Sequence, residues 1–148
     1  MPISKDRIQK IKSILDAGVE RYNRADFIVD DPIAVPHDYS KKQDIEIAGL
    51  IAATLAWGQR KTILNKSREW LAMMDGRPYE FVLHHSEREL IPMEKFVHRT
   101  FNGTDALYFI DFLKRYYREH ASLEDLFAVG FKIQGAKTAI ANFRSVFF

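Results

Sequence analysis

DIEIAGLIAATLAWGQRKTI, residues 44–63, is the stretch on which the fold turns. From Ile45 to Trp57 the side chains are apolar or small apart from Glu46 and Thr54, and they cover nearly every side of a helix. That pattern predicts a central core helix, the most buried of the chain, with Asp44 as its N-cap and Gly58 as its left-handed stop. The run then ends on Gln59, Arg60, Lys61 and Thr62, four polar residues of which two are cationic. A segment built for burial therefore delivers a polar turn at a fixed place.

Outward from this helix, apolar spacing at three and four residues dominates, and no stretch alternates long enough to predict a sheet. Ile8, Ile11, Leu15, Val19 and Tyr22 mark a first amphipathic helix. DDPIAVPHDYS, residues 30–40, holds two prolines and several turn formers, so a stiff, packed loop is expected there, with His37 held by hydrogen bonds. A helix from about Lys61 presents Ile63, Leu64, Ser67, Trp70, Leu71 and Met74 on one side, and Pro78 opens a short helix through Val82. LIPMEKFVHRTFNGT, residues 90–104, reads as turn and short helix. Thr104 or Asn102 caps DALYFIDFLKRYYREH, and Ser122 with Asp125 has the form of a capping box for SLEDLFAVGF. A last helix runs from near Gly135 to the chain end. The expectation is all-α: a single orthogonal helical domain over residues 1–148, with about seven helices.

That last helix closes on Val146, Phe147 and Phe148 with neither cap nor polar tail. Phe143, Val146 and Phe147 share one face, with Phe148 beside it, and such a face needs cover. The helix carrying Leu123, Leu126 and Phe127, a second copy of the chain, or a missing C-terminal half would each supply it. We expect the natural protein to continue beyond Phe148.

Composition narrows the classes of function. At 148 residues the chain is long enough for one continuous core, with 47% hydrophobic and 28% charged residues. There is no cysteine, which excludes disulfides and thiolate metal sites. MPISKDRIQKIKSIL is charged and amphipathic, unlike a signal peptide, and the apolar run falls short of the roughly 20 residues that span a bilayer. A cytoplasmic protein without a membrane partner is expected. The net charge of +2 is modest, and the cations group as Lys41-Lys42, Arg60-Lys61, Lys66 with Arg68, and Lys114-Arg115 with Arg118. Each group, taken singly, also suits a solvated helix face.

Two resemblances add to this reading. FIVDDPIAVPHDYSKKQDIEIAGLIAATLAWGQRKTILNK, continued by FVHRTFNGTDALYFIDFL, resembles the signature of a bacterial conserved family of unknown function. Pro36-His37, Trp57 and Gln59-Arg60 are its distinctive residues, and its members run longer than this chain. More distantly, LIAATLAWGQRKTILNKSREWL is similar to the early helix pair of the helix-hairpin-helix DNA glycosylases. Leu55 and Gln59 stand at that superfamily's leucine and glutamine positions, while Ala56 replaces serine and Arg60 replaces threonine. The resemblance implies a glutamine-bearing turn that lies beside DNA. FKIQGAKTA echoes the hairpin motif at Gly135, Thr138 and Ala139, but Lys132 and Ile133 replace its proline and first glycine. The true hairpin and a catalytic aspartate are then expected in the missing part.

The opening stretch thus acquires a meaning. A buried helix is a rigid platform, and its turn can offer Gln59, Arg60, Lys61 and Thr62, supported by Lys66 and Lys41, to a phosphate backbone or base edge. The alternative is the ordinary solvated turn of a helical hairpin. A second candidate is the loop site of Asp31, His37 and Asp38. Asp30-Asp31 before Pro32 is most simply a turn and cap, although paired carboxylates also serve acid-base chemistry. His37-Asp38 echoes metal phosphohydrolases, but those carry the pair on a helix with further ligands. The remaining histidines, His84, His85, His98 and His120, form no HExxH pair, so no metal and no cofactor is expected. The leading expectation is a DNA-contacting, glycosylase-like helical domain. Its rival is a non-enzymatic interaction module that docks a partner through the apolar C-terminal helix, and whether the chain is an enzyme stays open.

Overall fold

The computed structural model describes residues 4–148, apart from the side chains of residues 129, 130 and 132–134. Its helices are α1 (Lys5–Tyr22), α2 (Ala25–Ile28), α3 (Ala34–His37), α4 (Lys42–Thr54), α5 (Arg60–Ala72), α6 (Pro78–His84), α7 (Glu87–Leu90), α8 (Gly103–Glu119), α9 (Glu124–Gln134) and α10 (Ala136–Phe147). A 3-10 helix, Ile91–Lys95, precedes two short antiparallel strands, β1 (Val97–His98) and β2 (Phe101–Asn102). The chain is all-α, and its seven longer helices are those that periodicity predicts. The three additions, α2, α3 and α7, are four residues each, too short to show a period. The β1–β2 pair was not expected either, because two-residue strands have no alternation to read.

α4 is central, but two expectations about it need correction. It begins at Lys42, with Lys41 in the N-cap position, so Asp44 sits inside the first turn. Its carboxylate accepts the backbone N–H of Tyr79 at 2.8 Å, capping the start of α6 from another helix. Arg77, the N-cap residue of α6, makes no side-chain cap bond of its own. Nor is α4 the most buried helix. Ile47, Ala48, Ile51 and Ala52 are buried, while Ile45 and Ala53 face outward; α8 buries seven residues. The reason is that Ile45, Gly49, Leu50 and Ala53 line an open groove facing Leu123 and Phe127.

Glu46 organises the packing around α4. Its carboxylate accepts the Tyr117 hydroxyl at 2.9 Å, the Ser122 hydroxyl at 2.5 Å and the Leu123 N–H at 3.0 Å. One acidic side chain therefore joins α4 to the end of α8 and the start of α9. Burial, followed by the bond to Glu46, pushes the Tyr117 phenol well above its ordinary pKa. The expected Ser122–Asp125 capping box does not form, because Leu123 is the N-cap residue and Ser122 Oγ is drawn to Glu46 while accepting the Glu124 N–H at 3.1 Å. Asn102, in contrast, caps α8 as predicted, with Asp105 completing the box.

The other half of the core is aromatic. Trp70 is fully buried, with Phe96, Phe101 and Phe109 around it at 5.3, 5.2 and 5.8 Å between ring centroids. The 3-10 helix presses directly on α8: a Cβ on Gly103 would stand 2.2 Å from the Glu94 carbonyl oxygen. At the chain end Phe143 stacks on Phe127 at 5.0 Å, and Phe147 is buried against Tyr108, Phe109 and Phe112. The common apolar face is thus only partly covered, since Val146 is exposed and Phe148 is 87% exposed. α1 forms as predicted, yet Ile8, Ile11, Leu15, Val19 and Tyr22 all stay exposed on it.

Three stability measurements check this account. Glu46→Ala strands buried donors and should lower the unfolding free energy by about 1–3 kcal/mol in urea titration; an unchanged midpoint would remove Glu46 from its organising place. Gly103→Ala should cost about 1–3 kcal/mol through overpacking against backbone that cannot yield. Phe147→Ala should cost roughly 3 kcal/mol, whereas Phe148→Ala should shift stability by less than about 0.5 kcal/mol.

Candidate functional site

The turn between α4 and α5 is built by the termination of one helix and the uncapped start of the next. α4 ends at Thr54 with Leu55 as C-cap, so Gly58 lies beyond the cap position expected for it. It serves the turn instead, with a φ of 122° that favours glycine. The Arg99 guanidinium packs closely over it, since a Cβ there would come within 2.6 Å of Arg99 Nη2 and the arginine would have to shift. Gln59 follows as the N-cap residue of α5 and makes no side-chain cap bond, so its carboxamide faces solvent. No acidic residue occupies the first turn of α5. The N–H groups of Arg60, Lys61 and Thr62 therefore open a helix N-terminus without a competing carboxylate.

Arg60, Lys61 and Thr62 are exposed beside Gln59. The Arg60 guanidinium carbon lies 5.6 Å from the Phe27 ring centroid, which leans it toward α2. Arg99 joins this group from the turn between β1 and β2, with its guanidinium carbon 5.6 Å from the Trp57 ring centroid. Its φ of 57° is left-handed, a conformation that costs a non-glycine residue and is held here by the surrounding pairing. Among the described residues, none of Arg60, Lys61 and Arg99 has a carboxylate oxygen within 4.0 Å. Sequence reasoning missed Arg99. VHRTFN contains no glycine or asparagine at the turn positions, so nothing in it announces a hairpin.

The other two cations assigned to this turn stand differently. Lys66 lies one turn along α5 from Thr62, bound to Glu69 at 2.9 Å and 5.4 Å from the Phe96 ring centroid. Lys41 is at the far end of α4, about 20 Å away along the 13-residue helix. Its ammonium lies 4.3 Å from the Tyr79 ring centroid.

The loop residues do not converge on a shared centre. Residues 34–37 form the one-turn α3, and buried Ala34 and Val35 hold the segment against the body as predicted. His37, expected to be hydrogen-bonded, is exposed and its ring makes no hydrogen bond among the described residues. It ends α3 on the solvent side. Asp31 closes a local turn by accepting the Ile33 N–H at 3.0 Å. Asp38 pairs with Arg68 at 3.2 Å, both half exposed. Among the described residues no group of three or more His, Asp or Glu side chains could hold a metal ion. No described helix is long and apolar enough to cross a membrane. For the hairpin echo, Gly135 has a φ of 77° and starts α10, while the Lys132 and Ile133 side chains lie outside the described residues.

Beside the cationic turn an open groove of about 680 Å³ runs between Trp57 and Tyr108. Phe101, Phe147 and Phe148 line its apolar part, with Thr100, Thr104 and Asp105 at its polar part. Beneath Trp57 the His98 ring packs edge-on at 5.8 Å; His98 is buried and its Nε2 has no partner among the described residues.

No curated protein and no solved structure matches the chain. A family model described as a protein of unknown function (DUF2400) matches residues 31–148, a span that takes in α3 to α10 and leaves α1 and α2 outside. Because that match covers most of its length, the chain belongs to the DUF2400 family of proteins of unknown function.

Proposed function

We propose that this chain is a DNA-contacting helical domain that grips the phosphate backbone through the Gln59–Thr62 turn, with Arg99 as a further contact. The observation that carries the reading is the grouping of Arg60, Lys61 and Arg99 about an uncapped helix start, with no carboxylate oxygen within 4.0 Å of them among the described residues. Cations left without acids attract polyanions over several ångströms, and exposed helix amides add fixed donors. The likeness of the α4–α5 segment to helix-hairpin-helix DNA glycosylases supports the same placement, with Gln59 toward the bases. It supports no particular reaction, and no described residue is assigned a catalytic role.

A second reading has its own support. The apolar residues of α1, together with exposed Val146 and Phe148, offer surface to a protein partner or a second copy. It explains those faces but not the grouping of unpaired cations.

The double change Arg60→Glu with Lys61→Glu should weaken binding of a fluorescein-labelled oligonucleotide at least tenfold at low salt. It should also flatten the dependence of log K on log salt by about two phosphate contacts. Arg115→Glu with Arg118→Glu, the same charge change near the far end of α8, should leave both within about twofold. Equal losses from the two double changes would reduce the effect to net charge and sink the assignment.

A further inference from the structure

The groove between Trp57 and Tyr108 is not explained by phosphate contacts alone. Trp57 is 39% exposed and Tyr108 38%, and both rings line the same groove, so their open faces form one joint apolar surface. The volume of about 680 Å³ lies within the roughly 300–1,000 Å³ typical of small-ligand pockets. Its walls are mostly aromatic rings, with Thr100, Thr104 and Asp105 as polar lining, and the Asp105 carboxylate is engaged by the Asn102 N–H at 2.8 Å. The Arg99 guanidinium sits over Trp57, so the first ring of the groove adjoins the cationic turn. Buried His98 supports Trp57 from its edge, and the glycine at position 58 lets Arg99 approach.

We propose that this groove takes an unpaired nucleobase of single-stranded DNA, stacked on Trp57, while the flanking phosphates lie on Arg99, Arg60 and Lys61. The inference rests on the DNA-contacting reading and adds the strand class to it. Charge chooses the occupant. An apolar peptide would bring no anion to three cations that have no carboxylate oxygen within 4.0 Å, whereas a single strand carries a phosphate beside each base. A duplex supplies the phosphates but keeps its bases stacked inside, so it leaves the aromatic walls uncovered. Stacking platforms next to cationic tracks are the general means of binding single strands, since every base has a π face.

Binding of an oligothymidylate and of a duplex of equal length, followed by anisotropy and tryptophan fluorescence, tests this in the full 148-residue chain. The wild type should prefer the single strand at least tenfold, with fluorescence quenched on binding. Trp57→Ala should remove about tenfold of single-strand affinity and alter duplex affinity by less than twofold. Trp57→Phe, which keeps a ring, should retain most of the affinity but lose the quenching, because the other tryptophan, Trp70, is buried. Equal affinity for both strand classes, or quenching unchanged in Trp57→Phe, overturns the base pocket and leaves the phosphate grip standing. No binding of either nucleic acid overturns both. A wild type that sediments as a dimer, and loses the dimer in Trp57→Ala, places a second copy in the groove and likewise overturns the proposal.

Discussion

A single carboxylate set into an apolar helix constrains the rest of this fold. Glu46 occupies the second turn of α4, flanked by Ile45 and Ile47, and its side chain is only 14% exposed. A charge in that position is costly unless hydrogen-bonded, and the bonds available come from Tyr117, Ser122 and Leu123. Satisfying it draws the end of α8 and the start of α9 to one place on α4. Asp44, two residues earlier, does the same for α6 through the Tyr79 N–H. Two acids thus tie α6, the end of α8 and the start of α9 to α4, while apolar burial supplies most of the driving force.

That arrangement matters at the opposite end of the same helix. A rod held by hydrogen bonds near its start and by buried Ile47, Ile51 and Leu55 along its length delivers its C-terminus to a definite position. The turn through Gly58 then inherits this rigidity and holds Gln59 to Thr62 at a fixed place on the surface. The aromatic cluster around Trp70 fixes the second component of the site. Phe96 and Phe101 flank the β1–β2 turn, and both pack on Trp70, so the turn carrying Arg99 is anchored on each side.

The distribution of charge separates cations that stabilise the surface from cations left free to act. Lys42 meets Glu124 at 2.7 Å, Arg115 meets Asp111 at 3.0 Å and Lys66 meets Glu69 at 2.9 Å. Such exposed pairs contribute little to stability, about 0–1 kcal/mol each, but they cancel the local field. Around Gln59 no such close pair forms among the described residues, and Asp26 and Asp30 approach Arg60 only as lining of a shared pocket. A small net charge of +2 therefore conceals a local grouping of cations without close carboxylates.

The sequence by itself determined the seven longer helices, the inward residues of α5 and the Asn102 cap. Each depends on neighbours within a turn or two of the same segment, and a 3.6-residue period or a local side-chain bond is written into such a window. It also marked the Gln59–Thr62 turn, since the change from apolar to polar is local. Only the tertiary structure decided what Glu46 bonds to, because its hydroxyl partners lie 71 and 76 residues away. The same holds for Arg99 arriving over Trp57, for Lys41 standing a helix length from Gln59, and for α1 keeping its apolar stripe in solvent. Periodicity shows that a helix has an apolar face, but only the path of the whole chain supplies or withholds its cover.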